Sequence, residues 1–474
     1  MRIRHLILPI MMSLSAAPAS AGLPLTSCHV PYVKEAVLCG TFRVPENRSL
    51  SGGRQIPLQV VVLPARKKPA KEPVFFFAGG PGQPATETAP GFADSWIREE
   101  HDVVLLDQRG TGKGNRLDCL VGGSEANPQD YIEPLFFHGT RYDTCVKALS
   151  KNADLTQYTT AASMRDADDL RQALGYDKID VYGGSYGTRA GIVYLRMFSK
   201  NVRLAVLSGI DPISDRGPLN HASAAQQAFD TLAEQCAADA SCHQAFDPKT
   251  DLAAILAQLR KSPVPVTIKN PQTSKPVTLH MTASAFGDGL RVMLYDEGMG
   301  RSVPLLLHAA RAGDFAPFAE VAFAHSMDLQ QDVAMGLLLS VSCTEDVSRI
   351  RPEEVAPATA GKFIGDYRVR GQMAACASWP KGVLPKDYEA PFTVNTPVLL
   401  VSGKLDPVTP AKWSEDAARY LPNSLSILVP GAHVSDSACL DSIMKQFVQS
   451  GSGKGLDTSC IAQMKLPPFV LKKS

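Results

Sequence analysis

The feature that most constrains this chain is an apolar strand that runs directly into a glycine-flanked serine. Ile179-Asp-Val-Tyr182 is followed at once by Gly183-Gly184-Ser185-Tyr186-Gly187 and then by a helical pattern. The segment fits G-x-S-x-G. A serine on so tight a strand-to-helix turn needs small residues two places before and after it, or the backbone clashes. The turn lifts the hydroxyl clear of a sheet. It also turns the Tyr186 N–H toward the same side, at a helix N-terminus that favours developing negative charge. The competing reading is a structural glycine-rich turn.

The surrounding pattern agrees with a mainly parallel sheet covered on both faces. Residues 58–63, 74–77 and 103–106 are apolar, β-rich runs. The second ends in Ala78-Gly79-Gly80-Pro81-Gly82, the third in Asp107-Gln108-Arg109-Gly110. Residues 161–174 suit an amphipathic helix with Ala167, Leu170 and Leu174 on one face; Asp166, Asp168 and Asp169 lie largely elsewhere. A strand at 204–207 follows. From about 212 to 392 the pattern turns mostly helical, with one extended interruption at 264–279 rich in Pro, Thr and Lys. Strand–helix alternation then resumes, with strands at 397–401 and 425–429 and a last helix near 436–448. The expected division is a leader at 1–21, a first core part at 22–211, a helical lid at 212–392 and a second core part at 393–474.

A nucleophilic serine needs a base and an oriented acid. Both occur after the resumed strands. Pro397-Val-Leu-Leu-Val-Ser-Gly-Lys-Leu-Asp406 is a strand, a turn and a carboxylate. Leu425-Ser-Ile-Leu-Val-Pro-Gly-Ala-His433 is a strand, a turn and an imidazole. Open α/β sheets place their sites beyond the carboxyl ends of such strands. Alone, Asp406 reads as a helix cap and His433 as a surface residue. In the order serine, acid, histidine they read as a catalytic triad on the α/β-hydrolase fold. The loop at 78–82 suits the second oxyanion donor beside Tyr186: Gly80, with Gly79 as alternative. Arg109-Gly-Thr-Gly-Lys-Gly114 is a decoy. It lacks the first glycine and the Ser or Thr after Lys of a phosphate loop. His221 and His325 lie in the insert, out of triad order, and read as surface or pocket residues.

Composition excludes some classes. Lys plus Arg number 48 and Asp plus Glu 47, a formal net charge of +1, so nothing electrostatic favours nucleic acid or an anionic membrane. Arg2 and Arg4, an apolar run at 6–14 and Ala19-Ser20-Ala21 fit a signal peptide cut after Ala21. That run is far shorter than the roughly 20 residues that span a bilayer, so no stable membrane insertion is expected. The mature protein is expected to be exported, either periplasmic or secreted. Ten cysteines in an exported chain suggest disulfides, and sequence neighbours pair as 28–39, 119–145, 236–242, 343–376 and 439–460. No CxxC or HExxH suggests a metal, and triad chemistry needs no cofactor.

With these pieces in place, the sequence resembles the proline iminopeptidase and tripeptidyl aminopeptidase-like branch of the α/β-hydrolases. The resemblance rests on Gly79-Gly80-Pro81-Gly82, Asp107-Gln108-Arg109-Gly110-Thr111-Gly112, Gly183-Gly184-Ser185-Tyr186-Gly187-Thr188 and the segments ending in Asp406 and His433. It implies hydrolysis near a peptide's free N-terminus, with entry controlled by the lid. The cysteine-rich, exported build is more like the tripeptidyl aminopeptidase side. One departure is Ala78, where the iminopeptidase motif begins with His; it argues against a proline-only specificity. The resemblance also implies acidic residues in the lid that hold the substrate amine. Ser342-Cys343-Thr344-Glu345-Asp346 is the candidate region, with Glu345 and Asp346 as anchors. The same segment also reads as a disulfide-pinned surface turn. Two other readings remain: an esterase or lipase of small acyl esters, and a non-catalytic binding protein on the same fold.

Overall fold

The computed structural model describes residues 23–119, 122–134 and 140–472. The expected leader at 1–21 lies outside them. Eleven strands are described: β1 (Thr26–Cys28), β2 (Val37–Pro45), β3 (Gln55–Leu63), β4 (Lys71–Phe77), β5 (His101–Leu106), β6 (Ile179–Gly184), β7 (Val202–Ser208), β8 (Val264–Lys269), β9 (Pro276–Met281), β10 (Val398–Gly403) and β11 (Ser424–Val429). Nine form one sheet in the order β1-β2-β3-β5-β4-β6-β7-β10-β11. The pairs from β5 across to β11 are parallel, and β1, β2 and β3 add an antiparallel edge.

The inner strands are covered on both faces, which is why they read as unbroken apolar runs. Every residue of β10 is buried. Side chains alternate between the faces. Phe75, Val181 and Ala205 pack under one set of helices, while Val74, Tyr182 and Val206 pack under the other. Helix α1 (Thr160–Ala173) lies on the first face, with α2 (Tyr186–Phe198) beside it.

The aspartates of α1, read from the sequence only as lying largely off its apolar face, are not all in solvent. Asp166 and Asp168 are buried. Asp166 accepts two bonds from Arg109, at 2.7 and 2.8 Å, and one from Arg48 at 2.6 Å. Asp168 accepts from Arg171 and Tyr194. A buried carboxylate is tolerated only when paired in this way. The Asp107-Gln108-Arg109-Gly110 segment is therefore a brace. Arg109 ties the β5 end to α1, and Asp107 accepts from the Thr86 N–H and hydroxyl, holding the chain that follows the 78–82 loop.

The lid lies between β7 and β10. Its helices include α3 (Pro218–Ala238), α4 (Ala283–Met293), α5 (Met335–Glu345) and α6 (Tyr367–Ser378). They enclose a core of their own, in which Phe286 stacks on Phe318 with ring centres 3.8 Å apart. Leu405 and Ala432, from the loops that carry Asp406 and His433, belong to that same cluster. The extended interruption at 264–279 is a hairpin, β8 paired with β9, with Val266 and Ile268 turned inward. After β11 the chain closes with α7 (Ala438–Ser450).

All five expected disulfides are present: 28–39, 119–145, 236–242, 343–376 and 439–460. The fourth ties α5 to α6. No helix among the described residues is long and apolar enough to cross a membrane.

Candidate active site

Ser185 sits between β6 and α2 with φ 55° and ψ −130°. That is the positive-φ side of the backbone map, costly for any residue with a Cβ. The glycines on either side make it possible. A Cβ on Gly187 would stand 1.9 Å from the Phe77 carbonyl oxygen, and one on Gly183 would stand 2.4 Å from that of Gly187. The turn is held by the Ser185 N–H, which donates to Ser208 O at 2.9 Å, and by the Thr188 hydroxyl, which donates to Ser185 O at 2.7 Å.

His433 and Asp406 meet at the carboxyl ends of β11 and β10. Nδ1 of His433 lies 2.8 Å from Oδ2 of Asp406. The Asp406 side chain is fully buried. Its Oδ1 accepts the N–H groups of Val408 and Thr409, and its Oδ2 accepts the Thr409 hydroxyl at 2.6 Å. Burial alone would push this carboxyl up. The His433 ring and the Thr409 bonds outweigh it and hold the group below the ordinary carboxylate range. Asp406 is thus a buried anion fixed on one edge of the imidazole.

The lid grips this loop, which the sequence pattern does not reveal. The His433 N–H donates to Tyr295 O at 3.3 Å, and Glu297 accepts from Ala432 N and the Ser435 hydroxyl. The Tyr295 ring meets the His433 ring edge-on at 5.1 Å. On the other side, the Ala334 N–H donates to Gly82 O at 3.0 Å, so the lid also holds the glycine-rich loop.

Ser185 opens into a cavity of two lobes. The larger, about 330 Å³, is lined by Ser185, Gly79, Gly80, His433, Tyr295 and Arg291 among others. The smaller, about 80 Å³, is lined by Ser185, Gly80, Tyr186, Asp211, Asp215 and Asp346 among others. Gly80 therefore borders both lobes, and Tyr186 the smaller one. Gly79 is also close, since a Cβ there would meet the Ser185 Cβ at 3.1 Å.

The two acidic residues expected to anchor an amine part company. Glu345 is 1% exposed and is absent from both lobe walls. Its Oε1 accepts the Thr160 N–H and its Oε2 the Thr160 hydroxyl, both at 2.7 Å, and Tyr388 donates to Oε2 at 3.1 Å. It caps the start of α1, where a carboxylate offsets the helix dipole. The anchor expectation is corrected for Glu345 because all of this carboxylate is committed to holding the core. Asp346 does line the cavity. It accepts from Arg189 of α2 at 2.6 Å, and Arg189 also donates to Asp211 at 2.7 Å and stands 3.8 Å from Asp215.

Asp211 and Asp215 were not anticipated. They follow β7 by three and seven residues, at a strand's carboxyl end, and that position was the available signal. Burial pushes both upward, Asp211 to about 6 and Asp215 to about 7. Arg189 opposes the shift and neighbouring carboxylates add to it. His221, expected at the surface or in a pocket, lines both lobes. His325 lines neither. Among the described residues, no group of three or more His, Cys, Asp or Glu is placed to hold a metal ion.

Fold and site define a serine hydrolase of the α/β-hydrolase superfamily. Residues 72–249 match the alpha/beta hydrolase fold family and residues 361–460 match the TAP-like protein family. The chain is 26% identical to the serine protease Hip1 of Mycobacterium tuberculosis over 91% of its own length and 89% of that protein's. It is 27% identical to carboxylesterase B of the same organism, over 87% and 84%. It is also 27% identical to the tripeptidyl aminopeptidase of Streptomyces coelicolor, over 43% and 40%. The chain is an α/β-hydrolase-fold serine hydrolase related to the TAP-like proteins and Hip1. Its relatives include a protease, an esterase and an aminopeptidase, so kinship leaves the substrate open.

Proposed function

We propose that this protein is an exported serine aminopeptidase that cleaves near the free N-terminus of peptides through an acyl-enzyme. The observation that carries the reading is the acidic lobe. Three carboxylates, Asp211, Asp215 and Asp346, border the same small space as Ser185. A buried excess of negative charge is costly unless cations answer it, and Arg189 and Arg368 on the same wall answer only part. A substrate ammonium group placed there would supply the rest. Five disulfides support export, since they persist in oxidising compartments.

In this reading His433 takes the Ser185 proton as the oxygen attacks the carbonyl carbon. Asp406 keeps Nδ1 protonated and stabilises the imidazolium. The N–H groups of Gly80 and Tyr186 hold the oxyanion. His433 passes the proton to the departing nitrogen as the C–N bond breaks. Water, deprotonated by the same imidazole, then frees Ser185. The test is a matched pair of peptides, one free and one acetylated at the N-terminus. The reading expects acetylation to lower kcat/KM by roughly 30-fold or more, the scale of one lost buried charge contact. Equal rates, or preference for simple acyl esters, would replace it with an esterase-type hydrolase.

A further inference from the structure

The lobe that holds His433 has the opposite electrical character. Its wall carries Arg291, which the smaller lobe lacks, and Arg368, which stands on the boundary and borders both; among the described residues no carboxylate lines it. Arg291 of α4 is held in place. Its Nη1 donates to the Tyr295 hydroxyl at 2.7 Å and its Nε to Asp288 at 3.3 Å. Arg368 of α6 stands 4.0 Å from that same Asp288 oxygen. Asp288, which sits outside the cavity wall, thus lies near both buried guanidiniums. The like charge is felt locally. Burial first, and then Arg291, push the Arg368 guanidinium below its ordinary value. His221 faces the same space, and burial and both arginines drive its imidazole well below the usual range, so it stays neutral. Its Nδ1 is buried without a partner.

The direction of the reaction assigns this lobe a role. The leaving nitrogen must collect its proton from His433, and His433 lines the larger lobe but not the smaller. The departing portion of the substrate therefore occupies the cationic lobe, and the acyl portion the acidic one. We propose that Arg291 and Arg368, with His221 beside them, form a carboxylate-binding subsite for the departing portion, so that the enzyme prefers short peptides carrying a carboxylate there. This rests on the aminopeptidase reading above. A guanidinium pair matches a carboxylate in charge and in planar geometry. The carboxylate has two sources, a free C-terminus or an acidic side chain.

The experiment uses one short peptide with a free N-terminus in three forms: the C-terminal acid, the C-terminal amide, and the amide with a glutamate in the departing portion. Cleavage is followed by chromatography and mass spectrometry. The subsite predicts that the acid exceeds the amide in kcat/KM by about tenfold or more, the strength of one charge-assisted contact. Recovery by the glutamate amide assigns the subsite to side-chain carboxylates; no recovery assigns it to the C-terminus. Equal rates for all three forms in the wild type overturn the proposal. Arg368→Gln, checked for folding by circular dichroism, should bring the acid-to-amide ratio toward one, and Arg368→Lys should keep part of it. A ratio unchanged in Arg368→Gln also overturns the proposal. An N-acetylated series runs alongside. Indifference to acetylation sinks the aminopeptidase reading, while the acid-to-amide ratio is still read separately.

Discussion

Two regions meet at Ser185, and they are built differently. The region proposed to carry the triad hangs on strand ends. Ser185, Asp406 and His433 each follow a parallel strand by a few residues, with lid contacts added at the His433 loop. The acidic lobe is assembled across distance. Arg189 comes from α2, Asp211 and Asp215 from the chain after β7, and Asp346 from the end of a lid helix more than a hundred residues on. In the function proposed above, the first design fixes reaction chemistry in the core, and the second lets the lid help decide which substrate the core sees.

The largest expected effect falls on the first region alone. Ser185→Ala and His433→Ala should each lower kcat by several orders of magnitude on every substrate, with circular dichroism unchanged, because triad members act as a unit. Near-normal turnover in Ser185→Ala would break the comparison at its root.

The disulfide that ties α5 to α6 sharpens it. Replacing Cys343 and Cys376 by Ser opens a loop of sequence separation 33. Chain entropy puts the loss at about 3.8 kcal/mol, against about 2.4 kcal/mol for the shorter 236–242 loop. Denaturant melts would read both. Because Asp346 follows Cys343 by three residues, selectivity for a free amine should fall in the first variant. Labelling of Ser185 by a fluorophosphonate should persist, since the triad rests on the sheet. Loss of labelling together with selectivity would mean that the regions are not separable.

A smaller effect should appear with pH. Asp211 and Asp215 are raised to about 6 and about 7, with Arg189, Asp346 and Glu345 as charged neighbours and Arg349 behind Asp346. As pH falls through these values the carboxylates gain protons, and the lobe loses the charge that attracts an ammonium. KM for free-amino peptides should rise severalfold between pH of about 7.5 and about 5.5, while KM for amine-free esters stays level. Parallel KM profiles would count against the acidic lobe.

This division also explains what was legible in the sequence. The strands from β3 onward, the serine turn and both partner residues follow from local rules: apolar runs, glycine spacing and position after a strand. Cysteine pairing was legible because each pair closes a short loop. What depended on long-range contact was not. Glu345 and Asp346 are adjacent in sequence, yet one caps α1 and the other faces the cavity; nothing local distinguishes them. The pattern put Asp166 and Asp168 off the apolar face of α1, but not that Arg109 and Tyr194 bury them there. The antiparallel edge of β1 and β2 carries partly exposed residues, and so lacks the buried runs that announced the inner strands.

The most direct test of the central claim, chemistry in the core and selection in the acidic lobe, is the ratio of kcat/KM for a free and an acetylated peptide in wild type and in Asp346→Asn. Losing one partner of a buried charge contact costs about 2 kcal/mol or more, so the free peptide should lose roughly 30-fold while the acetylated one barely changes. The ratio should collapse toward one. An unchanged ratio in a folded Asp346→Asn enzyme, or equal loss on both peptides, would contradict the account.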